Sequence, residues 1–453
     1  MPLSRDKAFA LSLIKSSHPM KYLFILLVLN GLITSLNGQD NDSIARLINN
    51  YEYESALEKI NQVHPDSLDT QTRYYKAFAL KALSRFPQAI ACYDSLYKYD
   101  SSNVKIALDL ADCYKAVNNV SRPQEIYLKS LTYRSDNAYI MQLLANLYLT
   151  TEKYFQAKTW YLKACAGDTS EYLLKQIGYC YDKLTLDDSA VYFYLKAIAY
   201  DSNDYQPVFR LGNLYKDGRN YEKALAVTDT FLARHPENRD ITRLSGYIHY
   251  LNQTFRKAVS RFEHSYELSD SSLFVNKYLG YSYFKLNEFK NAIRYMEKVY
   301  AVDSSDAELC YALGLAHDVP VSIRYFKAAL ALGLPMLNAL PQVYSDLSLA
   351  LTKDHKYDEA LQALFDARRL APGDMALVYK IAVHYDNWMD NKPMALKYYK
   401  DFLLLRNDTS SPYIVTGTAV IDRQDFDHAA RRISDIEAVS THSVVESDSI
   451  QLP

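Results

Sequence analysis

The chain has 453 residues, 49% of them hydrophobic, and its 51 basic residues are matched by 53 acidic ones for a net charge of −2. That composition is ample for a buried core, and its charge balance excludes a nucleic-acid surface built on an excess of cations. Five of the 12 glycines, Gly178, Gly212, Gly246, Gly280 and Gly314, stand 34 residues apart, and a fixed period of that length signals stacked repeats rather than separate globular domains.

In chain order, residues 1–19 are polar and without pattern. Met20 and Lys21 lead into an apolar run from Tyr22 to Ile33, and residues 34–38 are small and polar. A basic start, an apolar run and a small-residue end make a secretory signal over residues 1–38, with Met20 as an alternative start. The expected cleavage lies between Gly38 and Gln39. The other reading is an uncleaved anchor, for which the run is shorter than the roughly 20 residues that span a bilayer. No cysteine follows the run before Cys92, so a lipid-attachment cysteine is not indicated. Loss of residues 1–38 would bring the net charge near −5 and leave a protein expected to be periplasmic or secreted, without stable membrane insertion.

Repeat spacing is then read over residues 40–406. Ile44, Leu47 and Ile48 line a first short helix, and Ala56, Leu57 and Ile60 line its partner. Ala77, Leu80, Ala89 and Tyr93 mark the second unit, and Ala111, Tyr114 and Tyr127 the third. Pro123 stands in the third unit's small-residue place, so that helix is expected to begin near Arg122, where proline is tolerated. Ala145, Tyr148, Ala157 and Tyr161 follow. In the glycine units a bulky residue comes three after each glycine: Tyr181, Tyr215, His249, Tyr283 and His317. Ile177, Leu211, Leu279 and Leu313 precede four of the glycines, with Ser245 before the fifth. Ala190, Ala224, Ala258 and Ala292 lie twelve after four of them, followed four later by Tyr194, Thr228, Phe262 and Met296. Spacings of three and four place these residues on single helical faces, so each unit is two amphipathic helices.

The period breaks after Gly314. Ser322 and Phe326 fit the small and bulky places four residues early, which predicts a helix trimmed by one turn. A longer linker, Leu332 to Pro341, restores the register at Leu347 and Leu351. Units carrying Ala360, then Ile381, Ala382, Tyr385, Ala395 and Tyr399, end the array. A loop is expected from residue 407 to 425, a closing helix on Phe426, Ala429, Ile433 and Ile436, and a disordered tail from Thr441 to Pro453.

The unit of Leu211, Gly212, Tyr215, Ala224 and Pro236 resembles the tetratricopeptide repeat. The resemblance recurs at least nine times and implies an all-α, right-handed α-solenoid of about ten helix-turn-helix repeats with a C-terminal capping helix. The repeat's terminal proline survives only at Pro236 and Pro372 in the regular series. Elsewhere Asp100-Ser101, Asp201-Ser202 and Asp303-Ser304 stand there, residues expected to cap the next helix. Some repeats of this family clamp a carboxylate with aligned lysine and asparagine. Asn146 and Asn213 match the asparagine, but Gln142 and Phe209 stand where the lysine belongs, so that activity is not carried over.

Motifs of chemistry are missing: there is no His-Glu-x-x-His, Gly-x-Ser-x-Gly, phosphate-binding glycine loop or Cys-x-x-Cys. The expectation is a protein without enzymatic activity, cofactor or metal. The five cysteines are expected as buried thiols, with a Cys165–Cys180 bridge the alternative. His249 and His317, in tyrosine places, are assigned to packing.

What remains is a surface. In this family the first helix of each unit lines the inner face, through residues three before, one after and four after the glycine place. Those positions include Lys175 and Tyr179, Asn213 and Lys216, Arg243, Tyr247 and Tyr250, and Lys277, Tyr281 and Phe284. Rings with a polar handle beside cations suit an extended peptide or protein segment. Sugar stacking on Tyr179, Tyr247 and Tyr281 is the alternative, making a glycan the second candidate partner.

Overall fold

The computed structural model describes residues 42–64, 68–333, 339–405, 413–415 and 420–448, so the expected signal lies outside the described residues. They form an all-α helical-repeat solenoid, divided into two compact units, one ending at Pro207 and the other beginning at Val208. The helices come in antiparallel pairs, the first pair being residues 42–49 with Tyr53–Gln62 and the last Met375–Asn387 with Lys392–Leu404. Most are 12 to 14 residues long.

The two helices of a pair start in different ways. Most first helices are capped by side chains: Asp69 accepts from the Thr72 N–H at 2.7 Å, Asn137 from Ile140 at 3.0 Å, and Asn238 from Ile241 at 3.0 Å, whereas Leu340–Lys353 starts on Ala339 without one. Most second helices follow a tight turn and have no such cap; in Lys392–Leu404 the Asn391 side chain does accept from the Met394 N–H, at 3.2 Å. Ser84, Asn118, Glu152, Thr185, Arg219, Gln253 and Asn287 make that turn, each left-handed with φ between 55° and 59°. The next residue donates its N–H to the carbonyl five back, in the tyrosine place, at 2.8 to 3.0 Å. The backbone thereby satisfies the carbonyls a helix end leaves open. None of the seven is glycine, so each holds a conformation costing on the order of 1 kcal/mol. The Asp-Ser pairs do something other than cap. Asp100, Asp201 and Asp303 accept from the N–H two residues on, closing a short turn, while the caps are Asn103 and Asp306.

The core repeats with the sequence. Ala89, Ala157, Ala190, Ala224, Ala258 and Ala292 are fully buried, as are Tyr93, Tyr161, Tyr194, Thr228, Phe262 and Met296 beside them. The glycines are where these side chains press in. A Cβ on Gly178 would meet the Tyr194 ring at 2.8 Å, one on Gly246 the Phe262 ring at 2.9 Å, and one on Gly280 the Met296 Cγ at 2.6 Å. The helix carrying Pro123 runs Ser121–Tyr133, as its place in the first turn requires.

The irregular unit pairs Ala307–Ala316, only 10 residues, with Val321–Leu332. Its first helix ends on His317 in extended backbone, without the left-handed turn. Phe326 still packs on Gly314, its ring 2.6 Å from a Cβ there. Register returns in Leu340–Lys353 paired with Tyr357–Leu370.

The C-terminal end departs from the expected loop. Tyr413–Val415 and Val420–Asp422 pair as an antiparallel hairpin, and the closing helix begins at Arg423 and reaches Asp448, past the expected start of the tail. Residues 449–453 lie outside the described residues. That helix is fastened by Arg432, whose Nε and Nη2 donate to the two oxygens of buried Asp386 at 2.7 and 2.9 Å, with Lys392 at 3.0 Å. All five cysteines are free thiols, so the Cys165–Cys180 bridge is not formed. Burial raises the Cys113 thiol to about 11 and the Cys180 thiol to about 12, leaving neither reactive. His249 is buried, its Nδ1 2.9 Å from the Thr254 hydroxyl, and His317 stacks on Tyr325 at 5.3 Å.

Candidate functional site: the first-helix face

In the unit ending at Pro207, Lys175 points its ammonium at Asp204 Oδ2, 2.5 Å away, and Glu171 Oε1, 3.1 Å away. Burial works against that charge, but the two carboxylates outweigh it and hold the lysine above its ordinary pKa. Tyr179 meets Tyr154 edge-on at 6.3 Å, with the Lys183 ammonium 5.6 Å from its ring.

The other unit gathers a denser cluster. Tyr247 and Tyr250, one helical turn apart on Arg239–Leu251, lie with near-parallel rings 6.4 Å apart. The next first helix, Leu273–Lys285, contributes Phe274 at 5.2 Å and Tyr278 at 4.5 Å from Tyr247. Tyr278 also meets Tyr250 at 5.1 Å. Ring-to-ring distances in this range are favourable beyond the area they bury. Burial, then the neighbouring Tyr278, pushes the Tyr247 hydroxyl up to about 12. Lys216 lies 5.6 Å from the Tyr247 ring and donates to Asn213 Oδ1 at 2.9 Å.

The structure thus brings Lys216, Tyr247 and Tyr250 together on one face. Tyr281 adjoins them at 6.4 Å from Tyr250 but is only 9% exposed, so its ring belongs to the core side of the cluster. Phe284 packs on Phe289 at 5.7 Å, beside the cluster. Arg243 is held by Asp240 at 2.7 Å and Asp270 at 2.8 Å. Lys277 is held by Asp306 at 2.6 Å. Asp306 does two jobs, since its other oxygen caps the following helix at the Leu309 N–H, 3.1 Å away. The cations expected to meet a partner are therefore already neutralised by carboxylates of this chain. Phe274 and Tyr278 escaped the sequence reading. Their signal was present: residues 274, 278 and 281 follow the spacing of one helical face.

The irregular stretch opens a cavity of about 200 Å³ lined by Gly314, His317, Asp318, Ser322, Phe326 and Lys353, among others. Asn146 and Asn213 are occupied internally: Asn146 accepts from the hydroxyls of Tyr161 and Tyr172, and Asn213 donates to the Phe209 carbonyl. Among the described residues no His, Cys, Asp and Glu group could hold a metal ion, and no helix is long and apolar enough to cross a membrane.

The tetratricopeptide repeat family model matches residues 209–269, the stretch that contains Gly212, Gly246 and the first half of the ring cluster. No curated protein matches the chain. Among solved structures, the chain is similar to the C-terminal part of a tetratricopeptide-repeat protein from Cytophaga hutchinsonii, at 16% identity and a TM-score of 0.46, over 53% of this chain and 99% of that one. It is also similar to a tetratricopeptide repeat protein from Parabacteroides merdae, at 15% identity and a TM-score of 0.39, over 55% and 98%. A third is YrrB, described as a repeat protein with an unusual peptide-binding site, at 18% identity and a TM-score of 0.35, over 40% and 95%.

Proposed function

We propose that the chain is a non-enzymatic interaction scaffold of the cell envelope that holds an extended peptide or protein segment along its first helices. The observation that carries this reading is the ring cluster of Tyr247, Tyr250, Phe274 and Tyr278, shared by two successive first helices, with Lys216 at its edge. The rings stabilise one another across the two helices, and rings with polar ends are also enriched where partners bind. The paired state of Arg243 and Lys277 shifts the expected partner toward apolar and aromatic side chains rather than acidic ones. The envelope location rests on the signal-like residues 20–38. A glycan remains the second reading, weakened by the burial of Tyr281, which leaves Tyr179 and Tyr247 as the rings open to a sugar.

The test is selection of a random peptide library against the protein, beside a glycan array. Peptides with a recurring aromatic or aliphatic anchor are expected, and Tyr247→Ala with Tyr278→Ala should weaken them by about 30-fold, the loss typical of an interface anchor worth about 2 kcal/mol. Lys223→Ala with Arg256→Ala, both on exposed second-helix positions, should leave them unchanged. Peptides held equally by the ring variant would show that the site lies elsewhere. Glycan binding without peptide binding would replace this reading by the second.

A further inference from the structure

Past the irregular unit, the positions that define the first-helix face continue as Ser345, Leu349 and Thr352, then Tyr379 and Val383. All five line one cavity of about 210 Å³ between Leu340–Lys353 and Met375–Asn387, together with Asp346, Lys380, His384 and Trp388. It is smaller than the roughly 300–1,000 Å³ pockets that take drug-sized ligands, a size that suits one small molecule.

Its charges are arranged unlike those of the repeats before it. Lys175, Arg243 and Lys277 are each closed by a carboxylate. Lys380 has only a hydroxyl, the Ser345 Oγ at 2.7 Å, and among the described residues no carboxylate lies within 4.0 Å of it. An ammonium has three N–H donors, so two are left to point elsewhere. Burial lowers the lysine's pKa, against the attraction of Asp346 and Asp374. Asp374 caps the helix start through one oxygen, which accepts from the Ala376 N–H at 3.0 Å; its other oxygen is buried and unpartnered, and Asp374 is not among the residues that line the cavity. Asp346 accepts from the Tyr311 hydroxyl at 2.7 Å and from Gln342 at 2.9 Å, one bond to each oxygen. Each oxygen keeps a second lone pair. His384 is turned away, its Nε2 donating to the Tyr357 carbonyl at 2.9 Å. The cavity therefore holds one cation and one anion that do not pair with each other, beside an apolar wall of Leu349, Val383 and Trp388. An anionic ligand would satisfy Lys380 but face Asp346, and a cationic one the reverse. A ligand carrying both charges a few ångströms apart satisfies both.

We propose that this cavity binds a free α-amino acid with an apolar side chain, its carboxylate on Lys380, its ammonium on Asp346 and its side chain against Leu349, Val383 and Trp388. The site is separate from the ring cluster, and either assignment can fail without the other.

Calorimetric titration of the whole protein with leucine, N-acetyl-leucine and leucinamide tests it. Leucine should bind, and the two analogues, each lacking one charge, should bind at least about ten-fold more weakly, because each leaves a buried partner unmatched. Lys380→Met and Asp346→Asn should each weaken leucine by a similar factor, with peptide binding at the ring cluster unchanged. N-acetyl-leucine or leucinamide binding as tightly as leucine overturns the proposal. So does leucine that shows no binding, or that binds both variants as it binds the parent. The comparison of the three ligands on the unaltered protein stands even if a variant does not fold.

Discussion

The pair Arg239–Leu251 and Phe255–Glu267 seats Phe262 on Gly246, sixteen residues along the chain, through the left-handed turn at Gln253. The pair Ala307–Ala316 and Val321–Leu332 seats Phe326 on Gly314 across only twelve residues and with no such turn. The contact between ring and glycine survives the shortening, so that contact, and not the turn, is what a repeat must keep. The shortening appears on the surface instead. The cavity lined by His317, Asp318 and Lys353 opens where the last turn of the first helix is missing.

The largest effect expected from this comparison comes from filling the glycines. Gly246→Leu and Gly314→Leu should each lower stability by about 1–3 kcal/mol or more, seen in thermal melts, because the rings at 2.9 and 2.6 Å have no room to retreat. A clearly smaller loss at Gly314 would show that the short repeat is loosely packed. Tyr247→Ala is the control; it removes ring contacts to Phe274 and Tyr278 but overpacks nothing, and should cost about 1 kcal/mol.

A smaller and opposite effect separates the turns. Gln253→Gly should stabilise by about 0.5–1 kcal/mol, since glycine holds the left-handed backbone without strain. His317→Gly, at an extended position, should not stabilise, and it removes the stacking on Tyr325. Equal gains in chemical denaturation would show that the two helix ends are alike.

The smallest effect concerns acid. Burial pushes the Asp270 carboxyl up, but Ser272 and Arg243 outweigh it, and its net pKa is lowered in the fold. The stability it contributes is therefore present above the ordinary aspartate value near 3.9 and is lost as pH falls toward the folded value. Asp346, in the region after the short repeat, is raised by burial against the bonds from Tyr311 and Gln342. Its contribution has the opposite sign, favouring the fold at acid pH and declining as pH rises through the folded value. Asp270→Asn should cost less than about 1 kcal/mol at pH 7, and progressively less as pH falls below the ordinary aspartate value of about 3.9. Asp346→Asn should flatten stability in the other direction. Identical pH profiles for the two variants would contradict the assignment.

The repeat was legible because its two helices are read by one rule: small residues such as Ala190 and Ala258 and bulky ones such as Tyr194 and Phe262 recur where the helices touch. The trimmed helix was legible for the same reason, through Phe326. The turns were not, because residues as different as Thr185, Arg219 and Gln253 share one left-handed conformation and no glycine announces it. Capping at Asp100 and Asp303 was misplaced by three residues, since aspartate serves a turn and a cap equally well in sequence. The site was half legible. Tyr247 and Tyr250, named from their spacing, do meet ring to ring, but the pairing of Lys175, Arg243 and Lys277 with carboxylates 27 to 29 residues on needed the next repeat in place.

Asp306 has a consequence of its own. One oxygen starts the short helix and the other takes Lys277 of the preceding repeat. In a one-dimensional stack, each such tie sets how many neighbours melt together instead of fraying one by one. With both ends of the pair partly open to solvent, the tie is sensitive to salt. At low ionic strength the short repeat should therefore open in concert with its neighbour. In about 1 M salt, amide exchange in Ala307–Ala316 should quicken ahead of Leu273–Lys285, giving the array a point where its cooperativity is tuned by the ions around it.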